Sequence, residues 1–290
     1  MENEEYTTPL KSSIHIANKT SFQLRKWIPY EKINWALLSF NLNAIDILEK
    51  YPEKINWRYL SQNKNAIPLL EKYPEKIDWY WLSLNENAIH LMEKYPTKIN
   101  WYHLSSNPNA IDLLEKYPEK INWCYLSCNP NAIHLLKKNP EKIDWIYLSA
   151  NPNAIPLLEK YPTKVSWGYL SQNPNAIHLL ENNLDKVNWI YLSQNPSAIP
   201  ILEKNLNKVV WAFLSTNPNA IHLLEKYPEK INWVYLSSNS AILEDYQEMS
   251  KQRTQILLED LMKKVLHPLR IQNIIDTYQI DFDDVMEMYI

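Results

Sequence analysis

An all-α solenoid is the fold class this sequence predicts, and three observations carry it. Tryptophan recurs at Trp35, Trp57, Trp79, Trp101, Trp123, Trp145, Trp167, Trp189, Trp211 and Trp233, always 22 residues apart, which is the self-similarity of a tandem array. Within each unit, apolar residues fall at three-and-four spacing between polar caps, the pattern of short helices. The chain holds 19 Pro but a single glycine, Gly168, which argues against folds built on many left-handed turns or glycine-lined phosphate loops. One unit cannot offset roughly 1.5 kcal/mol of ordering entropy per residue, so each must bury its apolar stripe on its neighbours.

Counting from each Trp, Leu stands three residues on, Ser four on and Asn six on in all ten units. In the unit that starts at Trp123, Asn122 sits where an N-cap belongs, and Ile121 before it is placed to staple onto Leu126. A short first helix follows. Asn129 caps a second helix whose first residue is Pro130, where proline costs nothing because that N–H has no partner in any case. Ala132, Ile133, Leu135 and Leu136 form its apolar stripe, Lys137 and Lys138 stay wet, and Pro140 ends it. The ten Trp side chains, at ~150–250 Å² of burial each, are expected to be the main filler between units. The alternative is an α/β leucine-rich-repeat-like solenoid, since Ile121, Trp123 and Tyr125 alternate as in a strand. The apolar residues that follow the Trp at Ala36, Cys124, Ile146, Ile190, Ala212 and Val234 spoil that alternation.

This reading divides the chain into a mobile N-terminal segment (1–21), an N-terminal half-repeat cap (22–34), the solenoid (35–240) and a C-terminal helical cap or docking module (241–290). Leu24, Trp27 and Ile28 cover the first open face. The tail reads as short helices, with Ile256, Leu257, Leu261, Val265 and Leu266 on one face, a break at His267-Pro268, then Ile271, Ile274 and Ile275. Units stacked at ~8–10 Å predict an elongated, curved particle.

Composition narrows the function classes. A net charge of −3 points to neither a nucleic-acid binder nor a membrane-surface protein, and no apolar run reaches the ~18 residues of a membrane span. Two cysteines, Cys124 and Cys128, do not frame a disulfide-rich secreted domain, and the polar start lacks a signal-like core, so a soluble, cytosolic protein is expected.

The recurring polar columns invite chemistry and are each better read as structure. His90, His134, His178 and His222 stand two units apart, about 20 Å at helix-packing distances, too far to converge on a metal. Cys124 and Cys128 lie four apart on one helix face and read as surface thiols. Ten serines at one offset are helix-closing groups, because a nucleophile needs one base in one place. Lys54, Lys76, Lys98, Lys120, Lys142, Lys164, Lys186, Lys208 and Lys230 form a ladder that could track phosphates. Glu71, Glu93, Glu115, Glu159, Glu181, Glu203 and Glu225, five residues earlier, are expected to neutralise it. The column two after the Trp (Tyr59, Trp81, His103, Tyr125, Tyr147, Tyr169, Tyr191, Phe213, Tyr235) reads as core or half-core. A nucleic-acid platform would interleave those rings with arginines, and the repeats hold only Arg58. No converging acid, base, nucleophile, metal or cofactor set is visible, so the sequence reads as a non-enzyme with no cofactor.

Specificity should therefore sit where units differ, at the offsets one, five and eleven residues after the Trp. One residue after the Trp these are Arg58, Tyr80, Tyr102, Cys124, Ile146 and Ile190, and five after it Gln62, Leu84, Cys128, Gln172 and Gln194. The two offsets are about one helical turn apart and make one strip, mixed and moderately apolar, that suits a protein partner.

The unit best seen from Asn151 to Pro162, with the tail Leu266-His267-Pro268-Leu269-Arg270-Ile271, resembles the tandem-repeat protein families encoded by giant DNA viruses of amoebae and related protists. The resemblance covers roughly residues 30–290 and supplies no catalytic residue. It implies a viral interaction module in the host cytoplasm or viral factory, a monomer or weak oligomer that binds a viral or host protein. Two alternatives remain: a structural component of the virion or factory, and an adaptor whose C-terminal helices dock a host machine such as a ubiquitin ligase.

Overall fold

A computed structural model describes residues 22–245 and, toward the C-terminus, 251, 255, 257–260, 263 and 267–278. The array is an all-α repeat solenoid, and the strand-per-unit alternative is not what forms: among the described residues the strands are β1 (Phe22–Leu24) and β2 (Leu243–Asp245), paired with each other. The segment 1–21 and most of 246–290, including Ile256, Leu261, Val265 and Leu266, lie outside the described residues.

Each unit is built as its caps dictate, with more turns than two helices. In the fifth, Asn122 Oδ1 accepts the Tyr125 N–H at 3.0 Å and opens the first helix, Trp123–Ser127. Asn129 Oδ1 then accepts the Asn131 N–H at 2.9 Å, which starts a 3-10 turn, Pro130–Ala132, and only after it the second helix, Ile133–Lys138. Pro140 stops that helix and begins another 3-10 turn, Pro140–Lys142, that leads to the next cap. The prolines fall at first positions, where the missing N–H breaks no ladder.

The inter-unit core is aliphatic. Leu126, Ala132 and Leu136, like their counterparts Leu148, Ala154 and Leu158, are buried from solvent. The ten Trp side chains are only half-buried, which corrects the expectation that they fill the core. Each stands at the start of the first helix, opposite the tightly spaced side of the units, where an indole fits the wider gap. Trp57 and Trp145 meet Tyr73 and Tyr161 of their own units edge-on at 5.3 and 5.2 Å.

Two side chains tie the units together. Ser127 Oγ donates to the Trp123 carbonyl at 2.8 Å and accepts the Asp144 N–H at 2.9 Å, joining the end of one helix to the start of the next unit. The buried Asn129 does more than cap: its Nδ2 donates to the carbonyls of Ser105 and Asn107, 24 and 22 residues back, at 3.1 and 2.8 Å. The same pair of bonds recurs from Asn63 to Asn239.

The ladder has no free end. Asn41, in the first unit, donates to Ser237 and Asn239 of the tenth at 3.2 and 2.7 Å, spanning 196 and 198 residues where every other rung spans 24 and 22. Asn34 N–H reaches Ser237 Oγ at 2.8 Å, as Asn56 N–H reaches Ser39 Oγ at 2.9 Å. Lys32 lies over Trp233 at 4.7 Å, as Lys54 lies over Trp35 at 4.2 Å. Residues 24–34 therefore supply the second half of the tenth unit. The Leu24–Leu243 unit is a closed ring, which corrects both the elongated array and the N-terminal half-repeat cap. Residues 241–243 correspondingly belong to the seam and not to a C-terminal cap: Arg25 N–H and Nε donate to the carbonyls of Ile242 and Ala241, at 2.9 and 2.7 Å. Ten units that close a circle turn by about 36° each.

Outside the ring, the described residues include the helix Pro268–Tyr278. Proline at its first position makes His267-Pro268 a helix start, with the His267 carbonyl accepting the Arg270 N–H at 2.9 Å. Ile271 is buried and Leu269 is exposed.

Asn129→Ala strands two buried carbonyls and an N–H, and should destabilise the ring by at least about 2 kcal/mol in urea denaturation. Asn41→Ala should cost about as much. A seam substitution with no effect would show that the array stands open.

Candidate interaction surface

The strip one residue after the Trp is exposed, because on the first helix it points away from the Leu-Ala-Leu core. Arg58, Tyr80, Tyr102, Cys124, Ile146 and Ile190 all reach solvent, and the seam adds Val234, which the sequence reading left out of the strip. Tyr102 is 61% exposed, Ile146 51% and Tyr80 50%, high values for large apolar side chains. The offset-five residues Gln62, Leu84, Cys128, Gln172 and Gln194 are half-buried, so the strip is narrower than expected. Cys128 in particular is not a surface thiol: its Sγ–H donates to the Tyr125 carbonyl at 3.1 Å.

What borders the strip instead is the column two after the Trp. Tyr125, Tyr147, Tyr169 and Tyr191 stand 5.5, 5.6 and 5.9 Å from one to the next. In a ten-membered ring, chords of that length put the ring centroids about 9 Å from the axis. The column therefore lines the narrow side of the ring. Successive planes are inclined by 38°, 50° and 42°, near the per-unit rotation of about 36°. Each half-buried ring packs on its neighbour, as a half-core column should. Burial first, then Tyr125 and Tyr169 beside it, push the Tyr147 phenol above its ordinary range.

The two columns interlock across unit boundaries. Arg58 lies over Trp81 at 4.8 Å, Tyr80 meets His103 at 4.2 Å, and Tyr102 meets Tyr125 at 6.3 Å. His103 is buried and bonds the Tyr80 carbonyl through Nδ1 at 2.8 Å, which fixes Tyr80 from behind. The result is an aromatic and aliphatic band, and the constancy of the second offset was its signal in the sequence.

On the wide side the charged columns pair differently from the expected arrangement. The glutamates do not neutralise the lysine ladder; Glu71, Glu115, Glu159 and Glu203 accept from His90, His134, His178 and His222 of the following units, at 2.9, 3.1, 3.3 and 2.9 Å. Lys54, Lys142, Lys186 and Lys208 lie over the Trp of their own units, at 4.2, 4.4, 4.7 and 5.1 Å. The reason is geometric: glutamate and histidine meet across the open wedge between neighbouring second helices, while these four lysines fold back over the indoles of their own units.

Compared with family models, curated proteins and solved structures, the chain matches none of them.

Thiol labelling checks the placement of this surface. Cys124 is exposed, with its thiol pushed up by burial and by Asp144, whereas burial pushes Cys128 up to about 11. At pH 8 one equivalent of maleimide should add at Cys124, and Cys128 should react only on unfolding or at much higher pH. Equal rates for the two would contradict the inward orientation of the fifth offset.

Proposed function

We propose that this ring is a non-catalytic scaffold that binds a protein partner through the band of Arg58, Tyr80, Tyr102, Cys124, Ile146, Ile190 and Val234. The observation that supports this reading most is the exposure of Tyr80, Tyr102 and Ile146 beside a band of packed aromatic rings. Rigid, exposed aromatic and aliphatic side chains are the anchors that carry most interface energy. Many of the recurrent polar residues, by contrast, are engaged within the ring: serine and asparagine in the ladder, Lys54, Lys142, Lys186 and Lys208 on tryptophan, and Glu71, Glu115, Glu159 and Glu203 on histidine. Among the described residues no helix is long and apolar enough to cross a membrane. The resemblance to giant-virus repeat families supports placing that partner in the host cytoplasm or viral factory.

Quantitative affinity capture from host cells, with the full chain as bait, tests the reading. Replacing Tyr80, Tyr102 and Ile146 by Ser should reduce recovery of the specific partner at least tenfold. Charge reversal at Lys98, Lys120 and Lys142 should leave it unchanged. The opposite outcome, with affinity that falls steeply as salt rises, would favour a nucleic-acid ligand.

A further inference from the structure

On the wide side of the ring one charged column breaks its pattern, between the fifth and sixth units. Elsewhere the position fourteen after the Trp is Glu49, Glu71, Glu93, Glu115, Glu159, Glu181, Glu203 and Glu225; in the fifth unit it is Lys137. Two residues later Asn139, like Asn183 and Asn205 in the seventh and eighth units, stands where Tyr51, Tyr73, Tyr95, Tyr117, Tyr161 and Tyr227 stand in the others. Across the boundary, the sixth unit presents Pro156, as the second and eighth present Pro68 and Pro200, where the third, fifth, seventh and ninth present the histidine that bridges to glutamate. Lys137 occurs at this boundary alone, where it coincides with an asparagine and a proline that each recur at other units. The bridge is absent here, as it is between the first and second, third and fourth, and seventh and eighth units, and a groove of about 450 Å³ lies at this boundary, lined by Lys137, Trp145, Pro156, Leu157, Lys160 and Tyr161.

The chemistry of the groove is specific. Trp145 and Tyr161 meet edge-on at 5.2 Å and, with Pro156 and Leu157, make an apolar wall wide enough for one large side chain. Lys160 lies over Tyr161 at 5.5 Å. Lys137 has no carboxylate within ion-pair reach among the described residues, unlike the glutamates of its column that meet histidine. Two ammonium groups flanking an aromatic slot complement an apolar side chain with carboxylates beside it.

We propose that this groove binds an acidic peptide segment of a protein partner, with one aromatic or aliphatic side chain against Trp145 and a neighbouring carboxylate on Lys137. The site is separate from the aromatic band and does not depend on it.

Fluorescence anisotropy with the full chain tests it, using a fluorescein-labelled acetyl-Asp-Glu-Trp-Asp-Glu peptide as the probe. Saturable binding is expected, weakened at least tenfold by Lys137→Glu and at least tenfold when the probe's Trp is replaced by Ser. Lys137→Glu installs the residue that eight other units carry, so circular dichroism and melting should not change. Tyr102→Ser should leave probe binding intact, which separates this site from the band. Absence of saturable binding, equal affinity in Lys137→Glu, or equal affinity for the Ser probe would overturn the proposal. Free N-acetyltryptophan competing as well as the peptide would also overturn it, in favour of a small carboxylate ligand.

Discussion

The amide side chain of the asparagine six residues after each Trp is the constraint on which this molecule rests. Its oxygen holds the turn that starts the second helix, and its nitrogen holds two backbone carbonyls of the preceding unit, as Asn129 does with Asn131, Ser105 and Asn107. Buried carbonyls left unpaired cost more than the bonds gain in water, so the rung is enforced by the penalty for its absence. Because each rung joins backbone to backbone through one short side chain, it sets the separation and the rotation between units. A rotation repeated without slack either winds into an open superhelix or closes. Here the tenth step meets the first.

Closure grades the environment from the axis outward. Near the axis equivalent atoms crowd, so the second offset stacks ring on ring at 5.5–5.9 Å. At mid-depth the space takes chiefly Leu and Ala, which with the buried Ser and Asn of the ladder have almost no exposure. Farther out the units diverge, and the gap takes an indole, a lysine folded over it, or a glutamate reaching a histidine in the next unit. Such exposed pairs add little stability individually. Their place on the wedge nevertheless matters, because a groove lies where Lys137 and Pro156 stand in place of the pair.

Much of this was legible in the residues. The 22-residue period, Asn122 and Asn129 as caps, Pro130 and Pro140 as a start and a stop, and the exposure of Tyr80, Tyr102 and Ile146 follow from local rules: cap chemistry, proline's missing donor and helical periodicity. The half-burial of Cys128 and Gln172 was not, since helical spacing fixes an angle about the helix axis but not how near the next unit comes. The glutamate columns were misassigned for a related reason. Lys120 is the nearer partner of Glu115 along the chain, whereas His134 is 19 residues away and becomes adjacent only when two units are docked.

The sequence by itself determined the unit: which residues form helix, which side chains cap it, and that ten copies must stack, because each decision depends on neighbours within one turn or one repeat. Only the tertiary structure decided that the stack is a ring. An open superhelix and a closed circle satisfy the same rungs at every internal unit, and they differ in the sum of ten small rotations, which no single unit encodes. The segment that closes the circle is also the one whose spelling departs from the repeat. Leu24 to Asn34 reads as a half-unit at the wrong end of the chain until Asn34 meets Ser237 and Asn41 meets Asn239, 203 and 198 residues away.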